Sequence, residues 1–268
     1  MSYELIGLPR SWFLGASPQN LEALSRIINK SYDKCRLRFG VILTPRIKDS
    51  AKFLENFQID DKKSFVMFLF LGPQSVFEDI NLKLRDFSST DINESFDMDI
   101  PKEFVEKFQY SDKDISVRIV GDDFVIDEQV SNRVLATIGF KGYHSDGPVK
   151  ESVREIELTS FTSFLRGTGP KLFNIVIDKI MKNKSTGVDE QLKLDRNKHS
   201  EICIHSTVIR EHDLVSYYIN KCGFHQGRDD IEIEIDEEGL LKGEELEDDT
   251  RASQDFHIAF LYRTIELH

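Results

Sequence analysis

The stretch "SFTSFLRGTGPKLFNIVIDKI" at residues 160–180 constrains the fold of this chain more than any other. It reads as a buried strand that breaks at a glycine turn and becomes an amphipathic helix. A turn made of Arg166, Gly167, Thr168 and Gly169 aims backbone N–H groups, and the positive end of the helix dipole, at one small volume. That volume suits an anion, usually a phosphate. The glycines let ligand oxygens approach the main chain without meeting a Cβ, and Arg166 adds a charge-assisted hydrogen bond. Most glycine turns before helices serve local geometry alone, so the surrounding elements must supply the context.

The chain has 268 residues, 40% of them hydrophobic, enough for one large domain or two small ones. No internal repeat or low-complexity linker divides it. The economical reading is a single domain over 1–268 with acidic loop insertions near 72–112 and 237–254. "FVMFLFL" (65–71) stops at Gly72-Pro73, far short of the ~20 apolar residues a membrane span needs. It reads as a buried strand, and no membrane association is expected. Pro9 and Arg10 interrupt the apolar N-terminal residues, which makes a poor secretory signal. Cys35, Cys203 and Cys222 give neither metal-ligand spacing nor a disulfide framework. We therefore expect no metal and a reducing compartment, the cytoplasm, with the nucleus also open. The formal net charge of -12 argues against nucleic acid and favours a cationic partner. Much of the acid lies at 86–104 and 229–250, and the plain alternative is that these are solvated loops. Oligomeric state is not readable.

Along the chain, Ser17-Pro18 opens an amphipathic helix over 17–34, and a second helix is expected at 47–57. The segment 72–112 reads as an irregular acidic insertion with at most short helices, such as 101–108. Strands follow at 115–129 and 132–143, joined as a meander, and at 153–164. The remaining expectations are a helix at 171–182, a polar loop to 200, a strand at 201–209, a helix at 212–221, and strands at 231–236 and 256–267. This order describes an α/β (α+β) fold: a mixed, mainly antiparallel central sheet flanked by helices on both faces.

In this order the elements resemble the GNAT superfamily of acetyl-CoA-dependent N-acetyltransferases. Arg166, Gly167, Thr168, Gly169 and Pro170 match five positions of its Arg/Gln-x-x-Gly-x-Gly/Ala motif, and Lys171 stands where the family has Gly or Ala. "STVIREHDLVSYYINKCGF" (206–224) resembles its fifth strand, following helix and Tyr-x-x-x-Gly-Phe ending, with one extra residue between tyrosine and glycine. Counting forward puts Glu211 at a common Asn position and Tyr218 at the tyrosine; Tyr217 is the reserve.

The resemblance implies direct transfer of an acetyl group from acetyl-CoA to a cationic primary amine, such as a polyamine, a small amine or a protein amine. It implies that the fourth and fifth strands splay to admit the cofactor. Phe161, Thr162 and Ser163 would hold the acyl carbonyl by main-chain N–H groups, and residues 166–171 would hold the pyrophosphate. Tyr218 would protonate the thiolate, while Glu157 or Glu155 would accept the amine proton. His205 is a third candidate base, though a strand histidine is more often structural. The glutamates read equally as a solvent-facing strand edge, and the tyrosines as core. Lys171 and the shifted tyrosine support the alternative, a catalytically inactive GNAT-like binding or scaffold protein.

Overall fold

The run Phe65–Leu71 is buried at every position, so both its faces must be covered by protein. The computed structural model, which describes residues 2–59, 64–80, 85–143, 150–183, 187–242 and 249–267, places this run inside a mixed sheet. The strands are β1 (Tyr3–Pro9), β2 (Phe65–Leu71), β3 (Ile115–Ile119), β4 (Val134–Gly142), β5 (Val153–Ser163), β6 (Glu201–Ile209), β7 (His225–Gln226), β8 (Ile231–Ile233) and β9 (Phe256–Glu266). Their order is β3-β1-β2-β4-β5-β6-β9-β7, with β8 also paired to β9. The β1–β3 and β5–β6 pairs are parallel and the others antiparallel.

Period-two alternation divides the core between the two faces. Val66, Phe68 and Phe70 join one cluster, together with Leu172, Phe173 and Val176 of α6 (Thr168–Val176). Phe65, Met67 and Leu69 join the other, under Trp12 and Phe13 of α1 (Arg10–Gly15) and Leu24, Ile27 and Ile28 of α2 (Pro18–Phe39). The remaining helices are α3 (Phe53–Asn56), α4 (Gln74–Asp79), α5 (Glu128–Arg133), α7 (Val188–Leu192) and α8 (Val215–Cys222). The expected mixed sheet with helices on both faces is therefore present.

Several expectations need correction. α2 begins where Ser17 caps it, accepting from Asn20 N–H, but runs on to Phe39 and ends at Gly40 in the left-handed region (φ 67°). The 47–57 helix is only a 3₁₀ turn at Ser50–Lys52 followed by α3. The meander at 115–143 does not form: β3 ends at Ile119 and pairs with β1, and β1 and β2 both lie between it and β4. Asp127 accepts from Val130 N–H and starts α5 inside the segment read as strand. The helix at 101–108 is 3₁₀ (Lys102–Phe108), and β8 stops at Ile233. β1, the strand entered first, carried no strand expectation at all.

One charged side chain ties the acidic segment after β2 to this sheet. Arg85 is 7% exposed. Its guanidinium donates to the carbonyls of Met98 (2.9 Å), Val134 (2.7 Å) and Asn132. It also lies 5.1–5.7 Å from the ring centroids of Phe77, Phe87 and Phe164. The segment around Arg85 and Met98 is thus folded onto the start of β4 and the end of β5.

Candidate functional site

The parallel pairing of β5 and β6 covers only Val153–Glu157 against Glu201–His205. Beyond it, β5 continues beside β4 and β6 continues beside β9, so the two strands part. The register of β5 against β4 slips between Thr137 and Gly139, and Ser160 in this bulge has φ 48°. Thr137 Oγ1 fixes the bulge by donating to Ser160 O (2.5 Å) and meeting Thr162 Oγ1 at 2.8 Å. Ser163 O accepts from Lys34 Nζ (2.9 Å) on α2, and Ser163 Oγ donates to Leu165 O (2.7 Å).

Tyr218 from α8 packs where the strands have parted. Its ring lies 5.9 Å from Phe161 on β5 and 5.5 Å from Phe224, and its hydroxyl is beside Ser206 on β6. Burial pushes its pKa well above the ordinary tyrosine value. The side chain is an aromatic bridge between two diverging strands, in a cluster with Phe161, Phe173 and Tyr217.

At the glycine turn, Gly167 takes the left-handed conformation (φ 80°) that caps α6, and both it and Arg166 are exposed. Thr168 is buried and its N–H donates to Leu165 O (3.1 Å); Pro170 has no N–H. Two of the first three helix positions therefore offer a ligand no donor. Gly169 is buried against Tyr217: a Cβ at residue 169 would stand 2.5 Å from the Tyr217 hydroxyl. The glycine admits that tyrosine. Lys171 is exposed, its ammonium 5.6 Å from the Tyr110 ring centroid.

The acids on β5 are engaged. Glu157 pairs with the buried Lys141 (3.3 Å), which also donates to Phe57 O (3.1 Å). Glu155 meets His205 Nε2 at 3.3 Å, and His205 stacks on Tyr143 with ring centroids 4.0 Å apart. Burial outweighs the Glu155 and Glu157 carboxylates and lowers the His205 pKa. Glu155, Glu157 and His205 thus share one sheet face, while Tyr218 packs in the cluster that holds α6, on the other. Lys141 and Tyr143 were missed; the only signal was a lysine at an inward position of an otherwise apolar strand.

Glu211 belongs to a separate clamp. Its carboxylate accepts from His257 N–H (3.0 Å) and meets His257 Nδ1 (3.0 Å), which raises the His257 pKa. Burial works against ionisation of Glu211, but the His257 bonds hold its pKa below the ordinary value. The His257 contribution to stability is complete below pH ~6.5 and is lost as pH rises through its raised pKa; the Glu211 contribution is complete above pH ~4.3 and is lost as pH falls through its lowered pKa. An NMR titration should place the His257 midpoint above ~6.5, and Glu211→Gln should bring it back down. An unmoved midpoint would show that the clamp is not formed in solution.

Comparison with known proteins overturns the acetyltransferase resemblance. The model of the family described as "Sporulation protein RMD6" matches residues 1–265. The curated "Sporulation protein RMD6" of Saccharomyces cerevisiae is 24% identical over 270 residues, covering 98% of this chain and 96% of that protein. The matching family is not GNAT and its description names no enzyme. Membership of GNAT, acetyl transfer to an amine, and the acyltransferase class are therefore withdrawn. A short glycine motif in a suitable element order misled the reading, because strand–turn–helix units recur on unrelated proteins. Among the described residues, no helix is long and apolar enough to cross a membrane, and no group of His, Cys, Asp and Glu could hold a metal ion.

Proposed function

We propose that this chain, which belongs to the sporulation protein RMD6 family, acts in sporulation as a non-catalytic binding protein. One observation carries the reading: the groups that would move protons are committed to the protein itself. Glu155 is held by His205, Glu157 by Lys141 and Glu211 by His257, while Tyr218 is partly buried and packed against the core. A base and an acid that face opposite sides of a sheet cannot serve one reacting centre.

The partner in this proposal is cationic. In the second acidic segment, Asp230 is paired with Arg210 and Glu234 with Lys242. In the first, Asp99 is paired with Lys34 and Lys30 donates to Asp91 O, but the carboxylates of Asp86, Asp91, Glu94 and Asp97 have no lysine or arginine at ion-pair distance among the described residues, and Phe96 beside them is 49% exposed. A positive surface would supply the missing counter-charges. The GNAT-like form of the sheet belongs to the same proposal, supported by the parting of β5 and β6 and the bulge at Ser160. Acetyl-CoA is not carried into it, since Tyr217 occupies the space beside Gly169.

Thiol release from acetyl-CoA in the presence of pooled polyamines, small amines and peptides tests the non-catalytic reading. Release should stay at the uncatalysed rate. Release that depends on Glu155 and Tyr218 would refute it.

A further inference from the structure

The sheet face that carries Glu155 and His205 also carries a row of rings. Among the described residues, no part of β6 or β9 joins the apolar cluster beneath α1 and α2, which covers the other end of this face. Directly opposite residues of an antiparallel pair point to the same face, with Cβ atoms about 4.5–5.5 Å apart. His205 stands opposite Tyr262 of β9, and Tyr262 opposite His225 of β7. Tyr143 stacks on His205 at 4.0 Å, and His225 lies 5.8 Å from Tyr262. The row therefore runs from the end of β4 across β6 and β9 to β7. Its outer half is open, with Tyr262 37% exposed and His225 exposed.

Four residues before His205, about 13 Å along β6, Glu201 stands opposite Glu266. Like charges directly opposite one another destabilise a sheet, and neither carboxylate has a lysine or arginine at ion-pair distance among the described residues. Only Cys203 and Thr264, hydrogen-bonded to each other, lie between this pair and the rings. The same face already takes one guanidinium: Arg228 lies 3.7 Å from the ring centroid of Phe260, two residues before Tyr262 on β9. A cation held over an aromatic face is attracted by the ring.

We propose that this face receives an extended basic segment of a partner protein, with one arginine or lysine stacked on Tyr262 and another, four residues away, between Glu201 and Glu266. In an extended chain, residues four apart point the same way and lie about 13 Å apart, which matches the spacing of the two contacts. A neutral segment would leave the two carboxylates facing each other, and a nucleic acid would bring phosphates against them. His205, whose pKa burial lowers, adds no opposing charge at neutral pH. The proposal extends the binding reading to a second surface. It uses none of Asp86, Asp91 and Asp97, so the two contacts can fail separately.

The probe is a capped glycine–serine peptide with arginine and lysine four positions apart. Titrated at low salt into the isotope-labelled protein, it should shift the NMR signals of His205, Tyr262 and Glu266 saturably, and the same peptide with glutamine at both positions should not. Tyr262→Leu, or Glu201→Gln together with Glu266→Gln, should weaken binding about three- to tenfold. Asp86→Asn, Asp91→Asn and Asp97→Asn together should leave it unchanged. Without peptide, Glu266→Gln should raise the melting temperature by about 1–3 °C, because it relieves the facing carboxylates. Absence of saturable shifts at these residues, equal binding of the glutamine peptide, loss of binding only in the aspartate variants, self-association through this face in place of peptide binding, or an unraised melting temperature would each overturn the proposal.

Discussion

Arg85→Leu is expected to destabilise the protein by about 3–5 kcal/mol, a large share of the ~5–15 kcal/mol that holds an ordinary domain folded. Burial lowers the Arg85 pKa to about 9, so the group remains charged at neutral pH. Leucine removes the charge but strands three buried carbonyls, those of Met98, Asn132 and Val134. Each stranded group costs about 1–3 kcal/mol, and leucine cannot restore the planar fork that reaches all three. Arg85→Lys keeps the charge and should recover only part of the loss, because a point-like ammonium cannot span the three acceptors. Urea denaturation followed by tryptophan fluorescence is a suitable readout, as Trp12 is fully buried in the same cluster as Phe87, Met98, Val134 and Phe164 around Arg85. A loss below about 1 kcal/mol would mean that these carbonyls find other donors.

Gly169→Ala should also destabilise, by about 1–3 kcal/mol, through overpacking. This runs against the usual rule that alanine in place of glycine strengthens a helix by about 0.5–1 kcal/mol. The added methyl would meet the Tyr217 hydroxyl, and the ring cannot swing freely because it packs edge-on against Tyr218 at 5.9 Å. Tyr217→Phe removes the offending oxygen. The double variant should therefore be more stable than the sum of the single effects allows, with a coupling of about 1–2 kcal/mol. Additive effects would show that Tyr217 yields at little cost, leaving the turn open to a ligand. Calorimetry with coenzyme A provides the direct check, and no heat of binding is expected.

The elements that the sequence revealed best are those whose signal is local. "FVMFLFL" could only be a buried strand, Ser17-Pro18 could only open a helix, and β5, β6 and β9 fell within a residue or so of their expected ends. Long-range pairing was not legible. Nothing in "ISVRI" says that β3 adds to β1 in parallel rather than to β4 as a hairpin, because an edge strand and a meander strand alternate alike. "DEQVSNRV" has both β-branched residues and a helix cap, and the cap prevailed. The candidate site was legible as a strand–turn–helix but not as chemistry. Which way Gly169 faces depends on Tyr217, 48 positions later, and Glu155 and Glu157 are silenced by His205 and Lys141 on neighbouring strands. Arg85 gave no signal, since a lone arginine in an acidic insertion reads as solvated surface.

The central claim is that this chain works by binding and not by catalysis. The most direct measurement is spore formation in cells of the source organism carrying variants at the native locus, with protein abundance measured alongside. Glu155→Gln combined with Tyr218→Phe removes the best base and the best acid, and should leave spore counts at the wild-type level. Asp86, Asp91 and Asp97 replaced together by asparagine should lower them several-fold through loss of the cationic partner. The contrary result, wild-type counts with the acidic residues neutralised and loss of spores from a stable, normally abundant Glu155→Gln/Tyr218→Phe protein, would contradict the account.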